Sequence, residues 1–112
     1  MEKLKFKLIS NNKEIINTDV AYYKKDNTIN FKINDDLYKL DTKNIILTKI
    51  DKEKELVIKF KEKVIIIYAK CENITLDYAM LESIVKTSKK SFNLSYTLEE
   101  DKLLSNTIVI EF

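Results

Sequence analysis

Apolar residues in this chain return at every second position, in short runs, from one end to the other. Leu4, Phe6 and Leu8 alternate with Lys3, Lys5 and Lys7, and Ile29, Phe31 and Ile33 alternate with Asn30 and Lys32. Leu56, Ile58 and Phe60 form a similar set. So do Ile74, Leu76 and Tyr78, then Phe92, Leu94, Tyr96 and Leu98, and finally Ile108, Ile110 and Phe112. Side chains on an extended strand alternate between two faces, so this period marks half-buried strands. Residues 19–24, 44–50 and 64–69 are strand-like as well, and Tyr38 with Leu40 adds a short piece. Strands of this kind, spaced by roughly a dozen residues, predict an all-β barrel or sandwich. Parallel pairing would need long helical crossovers, and no such pattern occurs. Links such as KKDN, NDD, DKEKE and KEK have hairpin length. The expected fold is one antiparallel β-barrel of about eight to ten strands over residues 1–112, closed by its first and last strands.

One segment fits this period poorly. In residues 78–90, Leu81, Ile84 and Val85 would share a helical face, while Ile84, Val85 and Thr87 are β-branched. The expectation is a strand to about Met80, then an irregular connection with one short helical turn near 80–88.

The chain contains no Gly and no Pro, so its reversals must use other residues. Asp and Asn tolerate the left-handed conformation and bond their own backbone. In the hairpin AYYKKDNTINFKI this predicts positive φ at Asp26 or Asn27.

Composition removes several chemistries. At 112 residues, 45% hydrophobic and 34% charged, the chain suits one globular domain. All twenty basic residues are lysines, there is no His, and the heavy use of Lys, Ile and Asn fits an AT-rich coding bias. Without His, the usual general base and imidazole metal ligand are missing, and Ser-His-Asp or Cys-His arrangements are impossible within the chain. No glycine loop can cradle phosphate. Acidic clusters at Asp35-Asp36, Glu53/Glu55 and Glu99-Glu100-Asp101 sit in expected turns, where carboxylates are ordinarily solvated. Cys71, the sole cysteine, can form neither an internal disulfide nor a zinc site. No cofactor is expected. MEKLKFKLIS has no apolar signal-peptide core, and no apolar run is long enough to cross a bilayer as a helix, so a soluble cytoplasmic protein is expected.

Lys3, Lys5 and Lys7 would form one basic row on a strand face, and Lys59, Lys61 and Lys63 a second. With a net charge of only +2 and no Arg, these rows point away from nucleic-acid binding. The tyrosines point elsewhere. Tyr22 and Tyr23 are adjacent and must face opposite sides of a strand, so only one can enter a barrel. Tyr68, Tyr78 and Tyr96 sit near the ends of alternating runs, with the ring in the core and the hydroxyl near a mouth. Tyr23, Tyr68 and Tyr96 are the candidate ligand-binding residues. The same tyrosines would also serve as an interior plug, since small barrels fill themselves with side chains.

Several stretches together resemble a family of small bacterial proteins. These are KLKFKLIS, AYYKKDNTINFKI, Tyr68, FNLSYTL and LLSNTIVIEF, with Ser105-Asn106 before the last strand. The family is the YwiB-like, calycin-like β-barrel family, and the resemblance runs over nearly the whole chain. It implies a barrel of about eight antiparallel strands and no known activity. Calycin relatives include carriers of apolar ligands, but a fold does not carry a function with it. The chain departs from the family after Tyr68, where Lys70 and Glu72 or Asn73 replace a threonine and a glycine.

The leading expectation is a non-enzymatic barrel, monomer or homodimer, that binds a small apolar or amphipathic ligand at one mouth. This requires a cavity on the order of 300 Å3 or more. The alternatives are a protein–protein or structural module, and a hydrolase built on paired carboxylates.

Overall fold

The computed structural model describes residues 2–101 and 105–112; Leu103 and Leu104 of LLSNTIVIEF lie outside the described residues. Ten strands follow one another around a closed antiparallel barrel: β1 (Lys3–Ser10), β2 (Lys13–Lys25), β3 (Thr28–Ile33), β4 (Asp36–Asp41), β5 (Ile46–Ile50), β6 (Lys54–Lys59), β7 (Val64–Ala69), β8 (Ile74–Thr87), β9 (Ser91–Leu98) and β10 (Ser105–Glu111). β10 pairs with β1, from Lys5↔Glu111 to Ser10↔Asn106, and this ladder closes the ring. The β1–β2 turn helps lock it, because Asn11 N–H donates to Ser105 O at 2.8 Å and Asn11 Oδ1 accepts from Ser105 N–H at 2.9 Å.

Two strands are much longer than the rest and form the corners. β2 pairs with β1 through its residues 13–21, then with β3 through residues 22–25. β8 pairs with β7 through residues 74–79 and with β9 through residues 80–87. Each corner strand carries a register shift, in β2 opposite Leu8/Ile9 and in β8 between Met80 and Glu82. An extra residue in one strand bends it and increases its twist, which a small closed barrel needs.

The β8 shift corrects the expected helical turn near 80–88. That stretch is strand through Thr87, with no helix among the described residues. Met80, opposite Leu98, is buried, whereas Val85, on the strand face opposite Leu94, stays 37% exposed. Met80 and Val85 are an odd number of residues apart, which breaks the two-residue alternation of a regular strand. The extra residue of the bulge reconciles it, and the β-branched side chains favour the extended form.

The inward residues fill the barrel. Leu40, Leu94 and Ile110 are fully buried, as are Leu4 and Phe6 at 1% exposure. Phe6, Phe31 and Tyr38 form an aromatic centre, with Phe31 stacked on Tyr38 at 5.2 Å and 4° and Phe6 tilted 5.2 Å from Tyr38. Leu47, Ile58 and Ile108 join the same cluster.

Among the described residues seven have positive φ, and five of them are Asn or Asp: Asn11, Asn12, Asp26, Asn34 and Asn73. Asp26, at φ 55°, bears out the hairpin expectation. Ile45 and Lys63 are the other two. Two further turns rest on aspartates. Asp41 Oδ1 accepts the N–H groups of Lys43 and Asn44, and Asp51 Oδ1 accepts those of Glu53 and Lys54. Donation to the charged form holds both carboxyls below their ordinary range, led by Asn44 at Asp41 and by Lys54 at Asp51.

The expected second lysine row does not form. Lys61 and Lys63 lie in the β6–β7 turn, Lys59 pairs with Glu62 at 3.5 Å, and Lys61 Nζ donates to Lys43 O. On β1, Lys5 stands between Asp19 and Glu111 on neighbouring strands.

Candidate functional site

In an up-and-down barrel the hairpin links alternate between the two ends. One end holds the links before β3, β5, β7 and β9 together with the start of β1 and the end of β10. This end has an open mouth.

The register builds that mouth. Tyr22 pairs with Phe31, an inward residue, so Tyr22 also faces inward and Tyr23, opposite Asn30, faces out. Phe92 pairs with Ile110, and Phe112 follows Ile110 by two residues onto the same face. Phe112 N–H donates to Lys90 O at 2.8 Å, which extends the β9–β10 ladder to the rim. Three rings therefore meet: Tyr22 lies 5.2 Å from Phe112 at 62°, and Phe92 lies 6.1 Å from Phe112 at 85°. Both are edge-to-face contacts, which aromatic pairs favour. Ile29 forms part of the floor, with Lys24, Thr42, Ser88 and Lys89 around the rim, and the cleft they enclose has a volume of about 310 Å3. Tyr22 O–H donates to Glu2 Oε2 at 3.0 Å. This bond, and then burial, pushes the Tyr22 phenol above its ordinary 10.0.

A second cavity lies within the barrel toward the other end. It is lined by Phe6, Leu8, Tyr38, Lys49, Tyr96 and Asn106 among others, and its volume is about 120 Å3. That is too small for an ordinary ligand and large enough for water. The Tyr96 hydroxyl oxygen accepts from Asn106 Nδ2 at 2.9 Å, and the Tyr96 ring meets Phe60 edge-on at 6.0 Å. Burial raises the Tyr96 phenol, opposed by the Asn106 bond. Burial pushes Tyr38 to about 12, with Asp36 and Asp51 adding to the effect. Lys49 sits 3.6 Å from Asp36 and 6.0 Å from the Tyr38 ring centre.

The three tyrosines singled out from the sequence do not come together. Tyr23 is 62% exposed on the outer wall, a correction to its expected place in the barrel. The cause is register, since its neighbour Tyr22 takes the inward position opposite Phe31. Tyr68 also faces outward, because inward Ile65 and Ile67 fix the alternation of β7; its hydroxyl donates to Asn73 Oδ1 at 2.8 Å, closing the β7–β8 turn. Only Tyr96 is interior, and it plugs rather than lines the mouth. Phe92 and Phe112 were visible in the alternation as inward residues. Knowing which strand ends share a mouth would have joined them to Tyr22.

Cys71 is exposed in the β7–β8 turn. Among the described residues, no group of three or more Cys, Asp or Glu side chains is placed to hold a metal ion, and no helix is long and apolar enough to cross a membrane. Comparison with family models, curated proteins and solved structures returns no match to this chain.

Proposed function

We propose that this chain is a binding barrel whose open mouth takes a small amphipathic ligand, with the apolar body on Tyr22, Phe92 and Phe112 and the polar end at the rim. The observation that carries this reading is the aromatic cleft of about 310 Å3 above a filled barrel. Its volume lies at the lower edge of the roughly 300–1,000 Å3 that ligand sites occupy. A non-enzymatic, cytoplasmic role belongs to the same proposal, supported by the absence of His and the single exposed Cys71. So does membership of the YwiB-like family, which rests on the Tyr22-Tyr23 hairpin, the Tyr96 strand and Ser105-Asn106.

Native mass spectrometry of the protein purified from its own cells tests the reading. The expected result is a monomer carrying a small-molecule mass that Phe112→Ala loses. A bare monomer, or an adduct that Phe112→Ala retains, refutes it. A second reading, a protein-partner surface, draws support from Ile74 and Leu76, which are 49% and 46% exposed at the far end of β8. A doubled mass in the same spectrum would favour it.

A further inference from the structure

We propose, resting on the mouth reading above, that the ligand carries an anionic head and that Lys24 and Lys89 hold it at the rim. The carrying observation is the distribution of charge between the two ends. At the mouth end, links 26–27, 42–45, 60–63 and 88–90 carry five lysines against two carboxylates, and the start of β1 and end of β10 add Lys3, Glu2 and Glu111, for six against four. At the far end, links 11–12, 34–35, 51–53, 70–73 and the described part of the last link, 99–101, carry seven carboxylates against two lysines. A formal net charge of +2 conceals this polarity, because the two ends nearly cancel. The strand order separates them.

The mouth end therefore attracts anions and repels cations, and the low-dielectric aromatic floor focuses the field there. Within a range of about 8–10 Å at physiological salt, the rim charges dominate. Lys24 and Lys89 both line the cleft, and neither has an ion-pair partner among the described residues. Of the acids at this end, Glu2 keeps its negative charge beside Tyr22, while Glu62 is neutralised in part by an ion pair. Glu2 accepts the Tyr22 hydroxyl, and Glu62 pairs with Lys59. A ligand with its chain on Tyr22, Phe92 and Phe112 would place its head between two ammonium groups that have no ion-pair partner among the described residues.

The test titrates the protein with octanoate, octanol and octylammonium, which share one chain length and differ in head charge. Backbone amide NMR reads where each one binds. The expected result is saturable shifts at Lys89, Phe92 and Phe112. Octanoate should bind about fivefold or more tightly than octanol, and octylammonium least tightly. In the double variant Lys24→Gln/Lys89→Gln, checked as folded by its amide dispersion, the octanoate-to-octanol ratio should fall to about one. Equal affinity for all three overturns the anionic head and leaves the mouth reading standing. A preference that survives the double variant overturns the assignment to these lysines. Shifts confined elsewhere, or none for any probe, overturn both the head-group inference and the mouth reading.

Discussion

A chain without glycine must hold other residues in the left-handed region, and two of them should respond to glycine in opposite directions. Lys63 has φ 58° and Ile45 has φ 53°. For a residue with a Cβ, this conformation costs about 1–2 kcal/mol. Glycine removes that cost but loses roughly 0.5–1 kcal/mol more conformational entropy on folding. Lys63 is exposed and has no ion pair among the described residues, so its backbone decides the outcome. Lys63→Gly should therefore stabilise the fold by about 0.5–1 kcal/mol. Ile45 is only 5% exposed and packs in the core. Deleting a buried Ile side chain costs about 2–5 kcal/mol, which outweighs the net relief of about 0.5–1 kcal/mol, so Ile45→Gly should lose about 1–4.5 kcal/mol. For 112 residues the unfolding entropy is roughly 0.24 kcal/mol per degree. Thermal unfolding followed by circular dichroism should then show Tm rising about 2–4 °C for Lys63→Gly and falling about 4–19 °C for Ile45→Gly. If Lys63→Gly lowers Tm with an unchanged urea m-value, the left-handed turn does not carry the strain assigned to it.

Three further outcomes follow from the same structure. The Tyr38 phenol sits at about 12, above its ordinary 10.0, because burial disfavours phenolate; the folded state thus binds more protons than the unfolded state in that window, and the Tyr38 contribution is present below pH 10.0 and lost as pH rises toward 12. Urea unfolding across this range should show a steeper loss for the parent than for Tyr38→Phe, and parallel curves would contradict it. Asp51→Ala removes the acceptor for Glu53 and Lys54 N–H and should cost about 1 kcal/mol at neutral pH. Because the Asp51 pKa is lowered on folding, its stabilisation holds above the ordinary 3.8 and disappears as pH falls through the folded value, so the difference from the parent should shrink in acid. Leu94→Ala, at a fully buried position, should lose about 2–5 kcal/mol, whereas Tyr23→Ser on the outer wall should stay within about 0.5 kcal/mol; a large loss at Tyr23 would place that ring in the barrel after all.

The alternation of Leu4, Phe6 and Leu8, and of its counterparts along the chain, is enough to determine an all-β antiparallel fold, a barrel or a sandwich. A two-residue period satisfies one buried face in only one kind of element. Asp26 likewise needs no neighbours to announce a left-handed turn, because its side chain is local to the backbone it supports. What sequence cannot supply is register, and a slip of one residue exchanges the two faces of a strand. Tyr22 and Tyr23 are equivalent until Phe31 is set opposite one of them. The bulge after Met80 is similarly invisible, because an extra residue only acquires meaning against a partner strand. The mouth needs still more. Tyr22, Phe92 and Phe112 are distant in sequence and meet only because strand order brings their ends to one rim. The charge polarity has the same origin. Acidic and lysine-rich links are interspersed along the chain, and antiparallel closure sorts them to opposite ends. Composition and period settled the all-β class, and the β1–β10 ladder closed it into a barrel. The tertiary structure decided which residues share a cleft, because only closure of the barrel converts distance along the chain into position around a mouth.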